Sequence, residues 1–487
     1  MKYLKDILYK VPVNAVYGNT SIEVSNVIFD SRKVEEGALF VAQKGVTVDG
    51  HLYIQKAIEQ GAGSILCEEL PKEKKDDVTY IQVEDSNASL AIVASNFYDN
   101  PSQKLKLVGV TGTNGKTTIA SLLYQLFQKA GYKTGLLSTV KVVVDKVEYS
   151  ATHTTPDSVS INRYLNQMVD AGVDYCFMEV SSHGIHQKRT EGLDFCGGIF
   201  TNLSHDHLDY HDTFAEYRDV KKAFFDSLSK TAFALVNVDD RNGNVMLQNT
   251  KAKKRTYALK TLADYKAKII EKSFSGTLLS VNNVEVWTKL IGNFNAYNLL
   301  AIIGAADELG LENFEVLTIV SELESVSGRF EYIVSENGVT AIVDYAHTPD
   351  ALKNVLETIN DIRTDNEKLI TVVGCGGDRD KTKRPKMAHI ASELSNQAIF
   401  TSDNPRTEKP ETILEEMEAG VSPENYKKTL TVSDRRQAIK TACKFSERGD
   451  ILLIAGKGHE AYQEINGERF HFDDLEEVTQ CFNLLRK

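Results

Sequence analysis

Short apolar runs alternate along most of the chain with stretches whose apolar residues recur at helical spacing. Leu105–Val110 reads as a buried strand. A glycine-rich turn follows, and then Ile119, Leu122, Leu123, Leu126 and Phe127 fall on one helical stripe that Gly131 ends. Further runs at Gly135–Thr139, Tyr175–Val180, Gly198–Asn202 and Phe233–Val238, several with helical patterns between them, predict a mostly parallel sheet. Upstream, Ile22–Phe29 alternates like a strand and Ala38–Ala42 is a second run. Downstream, Val339–Val343, Leu369–Val373, Ala398–Phe400 and Ile451–Ile454 each end in polar or glycine-rich residues. The pattern predicts an α/β protein of three units, residues 1–102, 103–327 and 328–487, the first boundary lying at the Asn100-Pro101-Ser102 break. A length of 487 residues agrees, at roughly 150 residues per domain.

Composition narrows the options. With 42% hydrophobic and 25% charged residues the chain reads as a soluble globular protein. A net charge of −12 gives no overall basic field for nucleic acid, so anionic ligands need local clusters of Arg, Lys and backbone N–H groups. The six cysteines are scattered without a C-x-x-C pair, which argues against zinc and against a disulfide framework and suits a reducing cytoplasm. Lys2, Lys5, Asp6 and Lys10 interrupt any N-terminal apolar run, so no signal peptide is expected. No apolar stretch approaches the ~20 residues of a membrane span.

The glycine-rich turn is the strongest chemical signal. Backbone N–H groups of Gly112, Thr113, Asn114 and Gly115 can approach polyphosphate oxygens, and the helix N-terminus adds a favourable dipole. Lys116 would neutralise phosphate charge, and Thr117, followed by Thr118, would reach magnesium. ATP or a similar nucleotide is the implied ligand. Val110 stands where a standard P-loop has its first glycine; Gly109 is one step out.

Ligands of open α/β sheets sit at the carboxyl ends of strands. Glu179 ends an otherwise apolar strand, where a carboxylate commonly holds Mg²⁺; a Glu paired with a base is the alternative. The loop Asn202–His211 carries three histidines and two aspartates, and one of these histidines assisting a magnesium site is the better reading than zinc. Phe214–Leu228 reads as an amphipathic helix that turns Lys221 inward and leaves Lys222 solvated. A sheltered Lys221 amine can react with CO₂ to give a carbamate; on these residues alone, snorkelling to the rim is the simpler reading. Asn295 and Asn298 precede an apolar helix, Leu299–Ala306, which they could cap, or they could meet a purine ring. Arg379 and Arg406 suit carboxylate recognition, and Asp403 and Glu460 would complement an ammonium group, so an amino acid is the implied ligand and surface ion pairs the alternative.

Taken jointly, Asp30-Ser31-Arg32, Gly112-Thr-Asn-Gly-Lys-Thr117, Thr154-Thr-Pro156, Glu179-Val-Ser-Ser-His183, Asp206-His-Leu-Asp209, Gly328-Arg-Phe-Glu331, Asp344-Tyr-Ala-His-Thr-Pro349 and Asp403-Asn-Pro-Arg406 resemble the Mur ligases of peptidoglycan synthesis over nearly the whole chain. The likeness is closest to members that add the third peptide residue. It implies an N-terminal domain for a uridine nucleotide, a central P-loop-like ATPase domain and a Rossmann-like C-terminal domain for an amino acid. By this resemblance Ser31 and the loop from Lys44 to Asp49 would hold the uridine diphosphate, and Thr154, Thr155, Ser181, Gln187 and Arg189 the muramoyl dipeptide UDP-MurNAc-L-Ala-D-Glu. Gly112 to Thr118 would bind ATP phosphates, Asn295 and Asn298 would lie near adenine, and Arg329 and Asp344 near the phosphates and ribose. Thr117, Glu179, His207 and a carbamylated Lys221 would support Mg²⁺, which reverses the preference for a snorkelling lysine. Arg379, Asp403, Asn404, Pro405, Arg406, Gly456 and Glu460 would bind the amino acid, expected to be meso-diaminopimelate because Arg406 offers its distal carboxylate a bidentate partner. The alternatives are L-lysine as the amino acid, a folylpolyglutamate-type ligase, or a nucleotide-dependent switch without ligase activity. The resemblance further implies a cytoplasmic monomer with no nucleic-acid or membrane partner. His153, where many relatives have Asn, departs from the pattern.

Overall fold

The computed structural model describes residues 2–45, 48–204, 210–211, 213–364 and 366–486. Three main sheets follow one another along the chain. The first has five strands in the order Val13–Tyr17, Thr79–Val83, Ser64–Cys67, Leu39–Val41 and Val27–Ile28, parallel except for the first pair. The single strand expected over Ile22–Phe29 is instead two short ones, Glu23–Val24 and Val27–Ile28, which pair with different partners.

The central sheet has eleven strands. Thr134–Leu137, Tyr175–Glu179, Lys106–Thr111, Phe195–Phe200, Phe233–Asn237, Lys253–Ala258 and Tyr265–Ser273 run parallel in that spatial order. Antiparallel hairpins extend both edges: Lys141–Val144 with Val147–Ser150, and Gly276–Val281 with Val284–Thr288. The expectation of a parallel sheet therefore holds for its middle and not for its edges. The strand Lys106–Thr111 lies at the centre, buried on both faces. One layer packs it against the helix Lys116–Lys129 and the apolar helix Asn293–Glu308; the other packs it against the helix Phe214–Ser227. Double coverage explains why these strands read as continuous apolar runs rather than as alternating ones.

The third sheet has six strands, in the order Glu331–Val334, Thr340–Asp344, Ile451–Ala455, Leu369–Cys375, Gln397–Ser402 and Thr429–Thr431, parallel apart from the first pair. Helices cover both faces, giving two apolar layers. This doubly wound arrangement brings the ends of Thr340–Asp344, Leu369–Cys375, Gln397–Ser402 and Ile451–Ala455 to one side. Among the described residues no helix is long and apolar enough to cross a membrane.

Candidate active site

The loop after Lys106–Thr111 is held by backbone geometry that only glycine adopts easily. Gly112 has φ +148°, and a β-carbon there would fall 1.9 Å from Thr201 Oγ1; Gly115 has φ +88° and faces Asn298 Oδ1. Thr113 N donates to Asn202 O at 2.8 Å, Asn114 N to Asn202 Oδ1 at 3.0 Å, and Thr201 Oγ1 to Asn114 O at 2.6 Å. The helix begins at Lys116, with Thr117 and Thr118 buried in its first turn. Lys116 Nζ folds back to donate to Gly112 O at 3.0 Å and Thr113 O at 2.8 Å.

A cavity of about 920 Å³ opens over this loop, lined among others by Lys116, Thr117, Glu179, Asn298, Arg329 and Asp344. Glu179 is fully buried at its strand end. Its Oε1 accepts from Thr139 N at 2.7 Å, while Oε2 has no hydrogen-bond partner among the described residues. No base pairs with it there, which favours the cation-binding alternative. Asn295 and Asn298 also line the cavity, but they lie inside the helix Asn293–Glu308 rather than before it. Asn295 Nδ2 donates to Ile291 O at 2.8 Å and Asn298 Nδ2 to Asn295 Oδ1 at 3.0 Å, so neither is an N-cap.

Thr154, Thr155, Ser181, Gln187 and Arg189 come together beside Glu179. Thr155 Oγ1 donates to Glu179 O at 2.9 Å and accepts from Ser181 N at 2.9 Å. Arg189 donates to Thr155 O at 2.6 Å and grips Gln187 Oε1 through Nε and Nη2 at 3.1 and 2.7 Å. Thr139 Oγ1 donates to Thr154 Oγ1 at 3.1 Å, joining this group to the Glu179 strand end. Ser31 sits apart, buried in the short 3₁₀ turn Ser31–Lys33 of the first unit. Of the adjoining loop, Lys44, Gly45, Val48 and Asp49 are described and 46–47 lie outside the described residues, as does the histidine-rich segment 205–209 with His207.

The helix Phe214–Ser227 turns Lys221 inward as expected. The side chain is 1% exposed, its Nζ donates to Gly112 O at 2.9 Å, and it lies over the Tyr217 ring. The reading of Lys222 as solvated is corrected: it is largely buried, with Nζ 2.6 Å from Asp226 Oδ2 one turn on.

The third unit reaches the loop through two contacts. Arg329 Nη2 donates to Thr117 Oγ1 at 3.2 Å, and Asn114 Nδ2 donates to Asp350 Oδ2 at 3.0 Å. Arg329 also stacks over Tyr345. Asp344 accepts from Phe330 N at 2.7 Å. Burial raises its carboxyl to about 6, with Arg329 and backbone donors opposing the rise.

A second polar cluster lies at the ends of Gln397–Ser402 and Ile451–Ala455, outside the cavity lining but joined to it by Tyr345, whose OH is 3.4 Å from Glu460 Oε1. Here stand Asp403, Asn404, Pro405, Arg406, Gly456 and Glu460. Arg406 adopts φ +51° and donates from Nη1 to Gly377 O at 2.7 Å. Arg379 is exposed, yet its stem and the Arg406 guanidinium both border Gly376, at 4.0 and 3.0 Å from where a β-carbon would stand. Sequence reasoning missed the centre of this cluster, Lys457, a wholly buried cation 3.3 Å from Asp403 Oδ1 and 2.9 Å from Asn404 Oδ1. Burial opposes the ionisation of Asp403, but Lys457 and Arg435 outweigh it and hold the carboxyl below its usual range. Burial, reinforced by Asp403, pushes Glu460 up.

A glycine loop and a buried carboxylate at one cavity, with the half-buried Lys116 and the buried Lys221 on the same loop carbonyl, are the arrangement of an α/β protein that handles polyphosphates. Three family models match the chain: Mur ligase family, catalytic domain, over residues 23–98; Mur ligase middle domain over 110–306; and Mur ligase, glutamate ligase domain, over 328–458. The chain is 55% identical over 485 residues, 99% of its length and 100% of the relative's, to the UDP-N-acetylmuramoyl-L-alanyl-D-glutamate–2,6-diaminopimelate ligase of Cytophaga hutchinsonii. It is 40% identical over 490 residues, 99% of each chain, to the protein of that name from Clostridium tetani. A solved structure of a ligase of that name aligns with TM-score 0.70 at 32% identity, covering 100% of this chain and 99% of that one. The MurF ligase of Thermotoga maritima in complex with ADP shares the fold, with TM-score 0.62 at 19% identity over 94% of this chain and 97% of that one. The chain belongs to the Mur ligase family.

Proposed function

We propose that this protein uses ATP to join meso-diaminopimelate to the D-glutamate side-chain carboxylate of UDP-N-acetylmuramoyl-L-alanyl-D-glutamate, a step of peptidoglycan precursor synthesis in the cytoplasm. The observation that carries the reading is the convergence of Lys116, Lys221 and the open oxygen of Glu179 around the glycine loop, beside a threonine–arginine network and within reach of the third unit. We divide the chain into working units at 102/103 and 327/328.

A carboxylate cannot form an amide directly, because oxide is not a competent leaving group. Phosphorylation by ATP gives an acyl phosphate, and the amine of the amino acid then attacks the acyl carbon and releases phosphate. Two anions must meet in the first step. The loop N–H groups from Gly112 to Thr118 would hold the ATP phosphates, and Lys116, once turned from its own loop carbonyls, would neutralise charge there. Arg329 would contact the phosphates from the opposite wall, with Asp344 at the ribose and Asn295 and Asn298 near adenine. The buried Oε2 of Glu179, without a partner among the described residues, suits a hard cation, as does the oxygen of Thr117. Magnesium held there by Thr117, Glu179, His207 and carbamylated Lys221 would supply electrostatic relief for the two anions. Carbamylation joins the Lys221 nitrogen to CO₂ with loss of one proton, turning a buried amine into a carboxylate-like ligand. Thr154, Thr155, Ser181, Gln187 and Arg189 would orient the dipeptide, and Ser31 with the loop to Asp49 the uridine diphosphate.

Arg379, Arg406, Asp403, Asn404, Pro405, Gly456 and Glu460 would take the amino acid, carboxylates to the guanidinium groups and ammonium to the acids. Phosphate release with ATP and the nucleotide dipeptide, assayed across a panel of amino acids given singly, tests the proposal. Release together with peptide product should require diaminopimelate; hydrolysis at an unchanged rate without any acceptor would refute it.

A further inference from the structure

Lys457 is a lysine without solvent. Its side chain is 0% exposed, and it sits between residues from two different strand ends. Its Nζ is 3.3 Å from Asp403 Oδ1, 2.9 Å from Asn404 Oδ1 and 3.7 Å from Glu460 Oε2. The Asn404 amide is thereby fixed at both ends. Its Oδ1 accepts from Lys457 Nζ and from Glu464 N at 2.9 Å, and its Nδ2 donates to Glu460 Oε2 at 2.8 Å. Were the amide reversed, its NH₂ would face the ammonium and its carbonyl the carboxylate, so the cation dictates one orientation. Asp403 commits Oδ1 to Lys457 and turns Oδ2 toward Gly456, where a β-carbon would stand 3.2 Å away.

Charge gives the arrangement its meaning. Asp403 and Glu460 bring two negative charges into a largely buried place; Lys457 offsets one of them, and Arg435, which also acts on Asp403, is itself matched by Asp474. The remainder matches a single ammonium group. A purely stabilising ion pair would need only one carboxylate and would not reach through Asn404 to the second. Replacing a buried pair by apolar residues is often neutral for stability, so a buried lysine among ligand-facing acids calls for a different role.

We infer that Lys457 is a positioning residue for amino-acid selection: it orients Asn404 and sets the charge that Asp403 and Glu460 present, so that the cluster accepts one ammonium group beside the carboxylate held by Arg406. The inference rests on the reading of this cluster as the amino-acid site.

The test is steady-state kinetics of Lys457→Met, varying each of the three substrates in turn, with thermal unfolding alongside. The expected result is a rise of about tenfold or more in KM for diaminopimelate, with KM for ATP and for the nucleotide dipeptide within about twofold of the parent and a smaller change in kcat. Lys457→Gln, which keeps a donor for Asn404 without the charge, should show the same pattern with a smaller rise. Unchanged KM for diaminopimelate, an equal rise for all three substrates, or loss of folding in both variants would assign the residue to stability and overturn the inference. Glu460→Gln separates the two ideas. If it raises KM for diaminopimelate while the Lys457 variants do not, the inference alone fails; if it too leaves that KM unchanged, the reading of the site fails.

Discussion

Lys116 and Lys221, one from the helix after the glycine loop and one from the helix on the opposite face of the sheet, donate to the same acceptor, the carbonyl of Gly112, at 3.0 and 2.9 Å. Gly112 can hold that carbonyl between them because its own α-carbon packs so closely on Thr201 that no side chain would fit. Two amines thus lie side by side on one carbonyl oxygen. Carbamylation of Lys221 would set a negative group beside the Lys116 amine.

The first prediction concerns that conversion. Wild-type protein in ¹³C-bicarbonate is expected to show a carbamate resonance that Lys221→Ala lacks. The variant should lose on the order of 100-fold in kcat/KM, and Lys221→Arg should not recover it, since a guanidinium forms no carbamate. A resonance unchanged in Lys221→Ala would contradict the assignment.

Glu179 separates function from stability. Replacing a buried carboxylate whose Oε2 has no partner among the described residues by its neutral isostere should leave stability unchanged or raise it by roughly 1 kcal/mol, because a desolvated charge is removed. Thr139 N keeps its acceptor in the variant. Activity of Glu179→Gln should nonetheless fall on the order of 100-fold or more in kcat. Thermal unfolding and phosphate release, measured on the same preparation, check both halves.

Asp344 should make stability depend on pH. Burial raises its folded-state carboxyl from 3.8 to about 6. Below 3.8 the group is protonated in both states and its contribution is complete; as pH rises the unfolded chain ionises first, and the contribution is lost by about pH 6. The loss amounts to about 3 kcal/mol at 1.36 kcal/mol per pH unit. Asparagine at this position does not titrate, so the stability of the parent relative to Asp344→Asn should fall by that amount between about pH 3 and pH 7. Urea unfolding across the range measures it, and a difference that does not vary with pH would contradict the burial effect.

Much of this was legible in the sequence wherever the controlling interaction is local. The stripe on Phe214–Ser227 directed Lys221 inward because helical periodicity alone decides facing. The same reasoning released Lys222 to solvent, although Asp226 stands four residues on, the spacing of a helical ion pair. Edge hairpins of the central sheet also left a local sign: Asn282 and Asn283, both at positive φ, form the two-residue turn between Gly276–Val281 and Val284–Thr288. Asn295 and Asn298 read as caps ahead of the apolar run Leu299–Ala306, yet Gly292 starts the helix earlier and its buried apolar residues carry it. Lys457 was not legible. Between two glycines it reads as a solvated loop lysine, and its burial depends on Asp403 and Glu460 being brought together by strand order. The buried Arg435–Asp474 pair is of the same kind.

Arg406 should carry the choice between diaminopimelate and lysine. Its guanidinium donates to Gly377 O and lies 3.9 Å from Glu464, which holds it in place for a distal carboxylate. Arg406→Ala is expected to lower kcat/KM for diaminopimelate about 100-fold, a few kcal/mol, while leaving lysine near its parent value. Side-by-side kinetics with the two amino acids decide it; an equal loss for both would remove Arg406 from selection.

The central claim is that the site activates a carboxylate by phosphorylation before forming the amide. The most direct measurement uses nucleotide dipeptide labelled with ¹⁸O in the D-glutamate side-chain carboxylate, turned over with ATP and diaminopimelate. Inorganic phosphate should carry one ¹⁸O atom for each peptide bond formed. Tripeptide product with no ¹⁸O in the phosphate would contradict the account.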